Sequence, residues 1–178
     1  MFSYKVDDEI KLALPHPEKD GKVIYRLISD NRAYLNEFLP WPDYMKSSED
    51  EIKFLQNSLT EFAAGKGLVL VIRYQEEIVG LIDFHAINPA NSSAEIGYWL
   101  TEDAQGKGIM TRAVQGMIEL GFDYFDFNRL TLVIQVENKA SQKVAERSGF
   151  EVEGRMKDYI KEKSEFRDAY LYALIKAK

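Results

Sequence analysis

The stretch Trp99-Leu100-Thr101-Glu102-Asp103-Ala104-Gln105-Gly106-Lys107-Gly108-Ile109-Met110-Thr111 is where residue types and spacing point most directly to chemistry. An apolar strand pattern ends, a turn with Gly106 and Gly108 follows, and a helical pattern begins at Ile109. The first backbone N–H groups of a helix lack intrahelical partners and sit at the positive end of the helix dipole. Glycines in the preceding turn let backbone approach an anion with no Cβ in the way. The expected guest is a phosphate or pyrophosphate. Taken alone, the same residues serve as well for a plain strand-to-helix turn. Two nucleotide patterns are incomplete: no G-x-x-x-x-G-K-[ST] run exists, and a G-x-G-x-x-G fingerprint would need glycine where Thr111 stands.

Composition removes other chemistries. The 178 residues include no cysteine, which excludes disulfides, thiolate nucleophiles and cysteine-ligated metals. His16 and His85 are far apart and have no metal-ligand spacing around them, so no metal is expected. A formal net charge of −6 argues against nucleic-acid binding, which wants a basic face. That charge suits a cationic partner such as an amine or a basic polypeptide, and equally suits plain solubility. The longest apolar run, Leu68 to Ile72, is too short to span a bilayer. The first nine residues have neither a basic start nor a long apolar stretch, so a cytoplasmic protein without membrane association is expected.

The elements that must hold the glycine loop can be read from periodicity. One domain over residues 1–178 is expected, since no repeat, linker or low-complexity segment interrupts the chain. Glu9 to Leu14 reads as a first strand. A helical pattern from Lys22 carries Ile24, Leu27 and Ile28 on one face, and a short amphipathic piece carries Leu35, Phe38 and Leu39 before Pro40-Trp41-Pro42 stops it. Ser48-Glu49-Asp50-Glu51 reads as a capping box for a helix with Ile52, Leu55, Leu59 and Phe62 inward, ended by Gly65 and Gly67. Strands are expected at Leu68 to Tyr74, Ile78 to Ile87 and Ala94 to Leu100. A helix carrying Ile109, Ala113, Met117 and Leu120 follows, then a strand from Leu130 to Val136. A helix from Asn138 to Ser148 ends at Gly149, before strands from Glu151 to Lys161 and Arg167 to Ile175. This order describes an α/β (mixed α+β) domain, a mixed sheet with helices on its faces.

Several segments together carry a family resemblance. Gln105-Gly106-Lys107-Gly108-Ile109 resembles the Q/R-x-x-G-x-G/A pyrophosphate loop of the GNAT N-acetyltransferases, with Met110 at the sixth position. Such a methionine would tighten the loop mouth but leave the backbone donors in place. Glu95-Ile96-Gly97-Tyr98-Trp99-Leu100, Asn138-Lys139-Ala140-Ser141, Ser148-Gly149-Phe150 and Leu39-Pro40-Trp41 are similar to the RimJ/RimL branch, whose members acetylate N-terminal amines of ribosomal proteins. The resemblance implies a mostly antiparallel mixed sheet of seven strands, splayed between the fourth and fifth, with helices on both faces. It implies acetyl-CoA as co-substrate. The pantetheine arm would lie along the Tyr98-Trp99-Leu100 backbone, the pyrophosphate on Gln105, Gly106, Lys107, Gly108, Ile109, Met110 and Thr111, with Asn138 and Ser141 facing the coenzyme.

The implied reaction needs a neutral amine, a stabilised oxyanion and a proton for the departing thiolate. Glu95 is the first candidate for general base, acting directly or through a water; its other reading is a solvent-facing strand residue. His85, on the same strand face as Asp83, is a lesser candidate for base, counted with the acceptor side. Ser141 is the candidate general acid, and is otherwise a first-turn serine of a helix capped by Asn138. Trp41 is a cleft wall or a core plug, and Tyr44 follows it in a stretch that could close over substrate. The acceptor that the resemblance implies is the N-terminal serine or alanine α-amine of a basic ribosomal protein. The alternatives are a polyamine, amino acid or antibiotic amine, or a module that binds acetyl-CoA without catalysis. Relatives often form homodimers, and Tyr124, Phe125, Phe127, Tyr170, Leu171 and Tyr172 would supply either an apolar contact surface or core.

Overall fold

Alternation of burial along neighbouring strands decides how two layers of helix attach to one sheet. The computed structural model describes residues 2–162 and 164–177. In chain order the elements are β1 (Ser3–Lys5), β2 (Ile10–Ala13), α1 (Pro17–Asp30), α2 (Arg32–Leu35), α3 (Ser48–Ala63), β3 (Leu68–Tyr74), β4 (Glu77–Asn88), β5 (Ser93–Leu100), α4 (Ile109–Glu119), β6 (Arg129–Gln135), α5 (Lys139–Arg147), β7 (Glu151–Glu162) and β8 (Glu165–Ile175). The strands form one mixed sheet in the order β1-β2-β3-β4-β5-β6-β8-β7. All neighbours are antiparallel except β5 and β6. On one face Leu70, Ile72, Ile82, Phe84 and Ile96 meet Ala113 and Met117 of α4 in the larger core. On the other, Val71, Leu81 and Trp99 meet Ile24 and Ile28 of α1 and Leu55 of α3. Period-2 side-chain alternation sends successive residues of the same strand into these two cores.

The sheet has eight described strands where seven were expected. The addition is β1, three residues paired to β2 and mostly exposed, too short for alternation to register. Its turn is closed by Asp7, whose Oδ1 accepts from the N–H groups of Glu9 (2.8 Å) and Ile10 (2.7 Å). Helix α1 begins at Pro17 rather than Lys22. Proline at the first helical position gives up an N–H that would be unpaired anyway. The short amphipathic piece is helical only over α2, and α3 is capped by Ser47 rather than Ser48. Ser47 Oγ accepts from Asp50 N (3.2 Å) and Asp50 Oδ2 from Ser47 N (3.0 Å), closing the capping box one residue early. Helix α4 runs on into a π-helical turn at Leu120–Tyr124.

Candidate active site

Strands β5 and β6 pair only where Ser93, Ala94 and Glu95 face Arg129, Leu130 and Thr131. Beyond Glu95 they part, so β5 backbone groups directed toward β6 have no ladder partner there. The opening is a cleft of about 770 Å³, walled by the diverging strands, the glycine loop, the first turns of α4 and α5, and the 34–40 segment. A second pocket of about 260 Å³, under Phe62, Ile87 and Phe125, has no titratable side chain in its wall.

At one end of the cleft, Gly106 (φ +71°) and Gly108 (φ +70°) adopt left-handed backbone. A Cβ at either would meet nothing within 4 Å, so conformation rather than crowding is what favours glycine. Gly108 is the N-cap of α4, and no side chain caps that helix. Its first-turn N–H groups therefore remain available to an anion, which is the fit a pyrophosphate needs. The loop is braced from outside. Gln105 Nε2 donates to the Tyr34 hydroxyl, and Asn31 Oδ1 accepts from Glu102 N at 2.9 Å. Arg112 donates to Asp7 (2.8 Å) and Glu9 (2.9 Å), tying α4 to the β1–β2 turn.

On the α5 side, Asn138 Oδ1 accepts from Ser141 N at 3.0 Å and so caps the helix. The cap holds the Ser141 hydroxyl 2.6 Å from that of Tyr98 on β5. Burial pushes the Tyr98 phenol up to about 12, so it stays protonated near neutral pH and can serve Ser141 as a donor.

The opposite face of β4 and β5 carries a cluster of charge. His85 Nδ1 lies 2.6 Å from Asp83 Oδ1, and its Nε2 lies 3.3 Å from Glu95 Oε1. The hydrogen bond to Asp83, then that to Glu95, hold the imidazole pKa up to about 10 against the opposing effect of burial. Gly97 pairs with Asp83 in the ladder, and a Cβ there would come within 2.8 Å of Asp83 Oδ2 and 3.1 Å of His85 Cε1. The cluster thus occupies the space a side chain at position 97 would need.

The structure gathers Glu95, Tyr98, Trp99, Leu100, Gln105, Gly106, Gly108, Ile109, Met110, Thr111, Asn138, Ser141 and His85 around one cleft. Lys107, Trp41 and Tyr44 are not in its wall. Trp41 packs in the smaller core with its ring centroid 6.2 Å from that of Trp99, a residue that belongs to that core and also lines the cleft. Tyr44 is 78% exposed. Met110 is buried with the larger core, so the sixth loop position also serves packing. Tyr34, Lys143, Arg147, Tyr159 and Ile160 line the cleft without having been singled out in the sequence. For Lys143 and Arg147 a signal existed, two cations one helical turn apart on α5. For Tyr159 and Ile160 none did, since only the return of the β7–β8 hairpin brings them there. Of the six aromatic and aliphatic residues considered for a dimer contact, Phe127 and Tyr172 are buried and Tyr124 is exposed. Among the described residues no helix is long and apolar enough to cross a membrane, and no group of three or more potential metal ligands occurs.

Comparison with known proteins agrees with this geometry. Residues 11–151 match the family model of the acetyltransferase (GNAT) domain. The ribosomal-protein-serine acetyltransferase of Escherichia coli (strain K12) is 35% identical over 158 residues, 89% of this chain and 88% of that protein. A solved structure of RimL, a ribosomal L7/L12 alpha-N-protein acetyltransferase in complex with coenzyme A, superposes with a TM-score of 0.93 at 32% identity, covering 98% of each chain. The microcin C7 self-immunity acetyltransferase, solved with acetyl-CoA and AMP, gives 0.91 at 32% identity over 96% of this chain and 94% of that one.

Proposed function

The chain belongs to the GNAT acetyltransferase family and is an N-acetyltransferase, and from that premise we propose that it transfers acetyl from acetyl-CoA directly to the N-terminal serine or alanine α-amine of a ribosomal protein. The observation that carries this reading is the meeting, in one cleft, of the splayed β5–β6 strands, an uncapped helix start behind Gly106 and Gly108, and the Glu95 carboxylate beside His85. Acetyl-CoA supplies a thioester whose carbonyl carbon accepts the amine. The α4 N–H groups, with Gln105 and the 106–111 backbone, bind its pyrophosphate, while Asn138 and Ser141 face its other end.

An α-amine has a pKa near 7.7–8.0, so on the order of a tenth is neutral at pH 7 and a strong base is not required. The neutral amine attacks the carbonyl carbon, forming the C–N bond and an oxyanion that a backbone N–H of the Tyr98–Leu100 strand stabilises. The surplus amine proton passes to Glu95 through a water. Collapse breaks the C–S bond, and Ser141, held by Tyr98, gives a proton to the departing thiolate. Asp83 and Glu95 put negative charge on the acceptor side, which favours approach of a cationic N-terminus.

The test follows free-thiol release from acetyl-CoA against N-terminal peptides, polyamines and aminoglycosides. Release confined to peptides beginning with serine or alanine supports the reading; release with the small amines alone overturns it. A small-molecule acceptor is the second reading, favoured by the equal identity to the self-immunity acetyltransferase.

A further inference from the structure

The two carboxylate contacts of His85, a hydrogen bond to Asp83 and an ion-pair contact with Glu95, define a charge state by geometry. Neutral imidazole has one N–H and one lone pair, so it can donate to one carboxylate only. Here both ring nitrogens face carboxylate oxygens, Nδ1 at 2.6 Å and Nε2 at 3.3 Å. A lone pair directed at either oxygen would be repelled, whereas an imidazolium hydrogen-bonds Asp83 and presents its second N–H and its charge to Glu95. The charges that act on His85 are Asp83 on its own strand and Glu95 on β5, one cation between two anions. The ring is half exposed, so this order comes from the two anchors and from the space left by Gly97, not from burial.

We propose that His85 is a positioning residue, an imidazolium fixed between Asp83 and Glu95 that aims Glu95 into the cleft and does not itself take the proton of the amine. Resting on the acetyltransferase reading above, this inference assigns Asp83 a task that cleft lining does not reveal. Asp83 keeps the ring charged and oriented, and the ring holds Glu95 Oε1 so that the second carboxylate oxygen remains for the water that receives the amine proton. Titration of His85 then contributes nothing to the pH dependence of turnover near neutrality. Without Asp83, the ring is left with Glu95 alone and titrates closer to the ordinary histidine range near 6.5.

The experiment is a nitrogen-15 NMR titration of the imidazoles in the whole chain, whose histidines are His16 and His85 alone, paired with kinetics of Asp83→Asn and His85→Gln. The expected result is a His85 ring protonated at both nitrogens through pH 8, with its midpoint falling by one pH unit or more in Asp83→Asn. Both variants are expected to lower kcat about tenfold while leaving the KM for acetyl-CoA within about twofold. Asp83→Asn is further expected to gain an inflection in its pH–rate profile at its own measured His85 midpoint. A neutral His85 at pH 7 in the unaltered protein overturns the proposal, as does full kcat in His85→Gln. Failure of the acetyltransferase reading would appear separately, as no thiol release with any amine, and leaves the NMR readout in force.

Discussion

The hydroxyls of Tyr98 and Ser141 lie 2.6 Å apart across the mouth of the splay, one on β5 and the other in the first turn of α5. They can be neighbours only because β5 and β6 have separated, since a continuous ladder would fill that space with paired backbone. With the phenol held protonated by burial, Tyr98 can donate to Ser141, an arrangement that leaves the serine proton free for another acceptor. Ser141→Ala should lower kcat about ten- to a hundredfold with the KM for acetyl-CoA changed less than about twofold. Tyr98→Phe should give a smaller loss, and the double variant should be no worse than Ser141→Ala alone. Steady-state kinetics on the three proteins decide this; additive losses would separate the two residues.

Glu51 should make stability depend on pH. It lies in the first turn of α3, is 1% exposed, and its Oε1 has no hydrogen-bond partner; burial pushes its carboxyl up to about 7 from 4.5. Below 4.5 the group is protonated in both folded and unfolded chains, and the full stability is present. Between 4.5 and 7 the unfolded chain releases the proton while the folded chain retains it, so stability falls as pH rises, then levels off. The loss is on the order of 3 kcal/mol. Melting temperature should therefore drop between pH 5 and pH 8 by several degrees more for the unaltered protein than for Glu51→Gln. Parallel pH profiles would exclude Glu51 as the source.

Lys143 and Arg147 stand on the cleft side of α5, and among the described residues neither is held in an ion pair. In a chain of net charge −6, two free cations at the rim should draw the phosphates of the coenzyme. The double variant Lys143→Glu, Arg147→Glu should raise the KM for acetyl-CoA about tenfold, with kcat much less affected. The difference from the unaltered protein should shrink as salt rises, because exposed charges are screened over about 10 Å at 0.1 M. A KM ratio that does not change with salt would argue against a charge effect.

What the sequence by itself determined was local. Leu68 to Tyr74 has a strand's length and branched apolar content, Gly106 and Gly108 mark a turn into a helix, and Asn138 is three residues from the amide it caps. Each of these signals lies within one turn or one strand, where propensity and periodicity act directly. The first strand is absent from that reading because three exposed residues hold no period, and their pairing is decided by β2 and by Arg112, about a hundred residues further on. The site divides in the same way. Its residues were legible as types on the strand, loop and helix starts, but tertiary structure decided which of them meet. It brought Tyr98 against Ser141, placed His85 between Asp83 and Glu95, carried Tyr159 and Ile160 to the cleft on a hairpin, and turned Trp41 onto Trp99 away from it. The reason is that strand separation and the close approach allowed by Gly97 depend on what packs on both faces of the sheet, and no stretch of neighbouring residues contains that information.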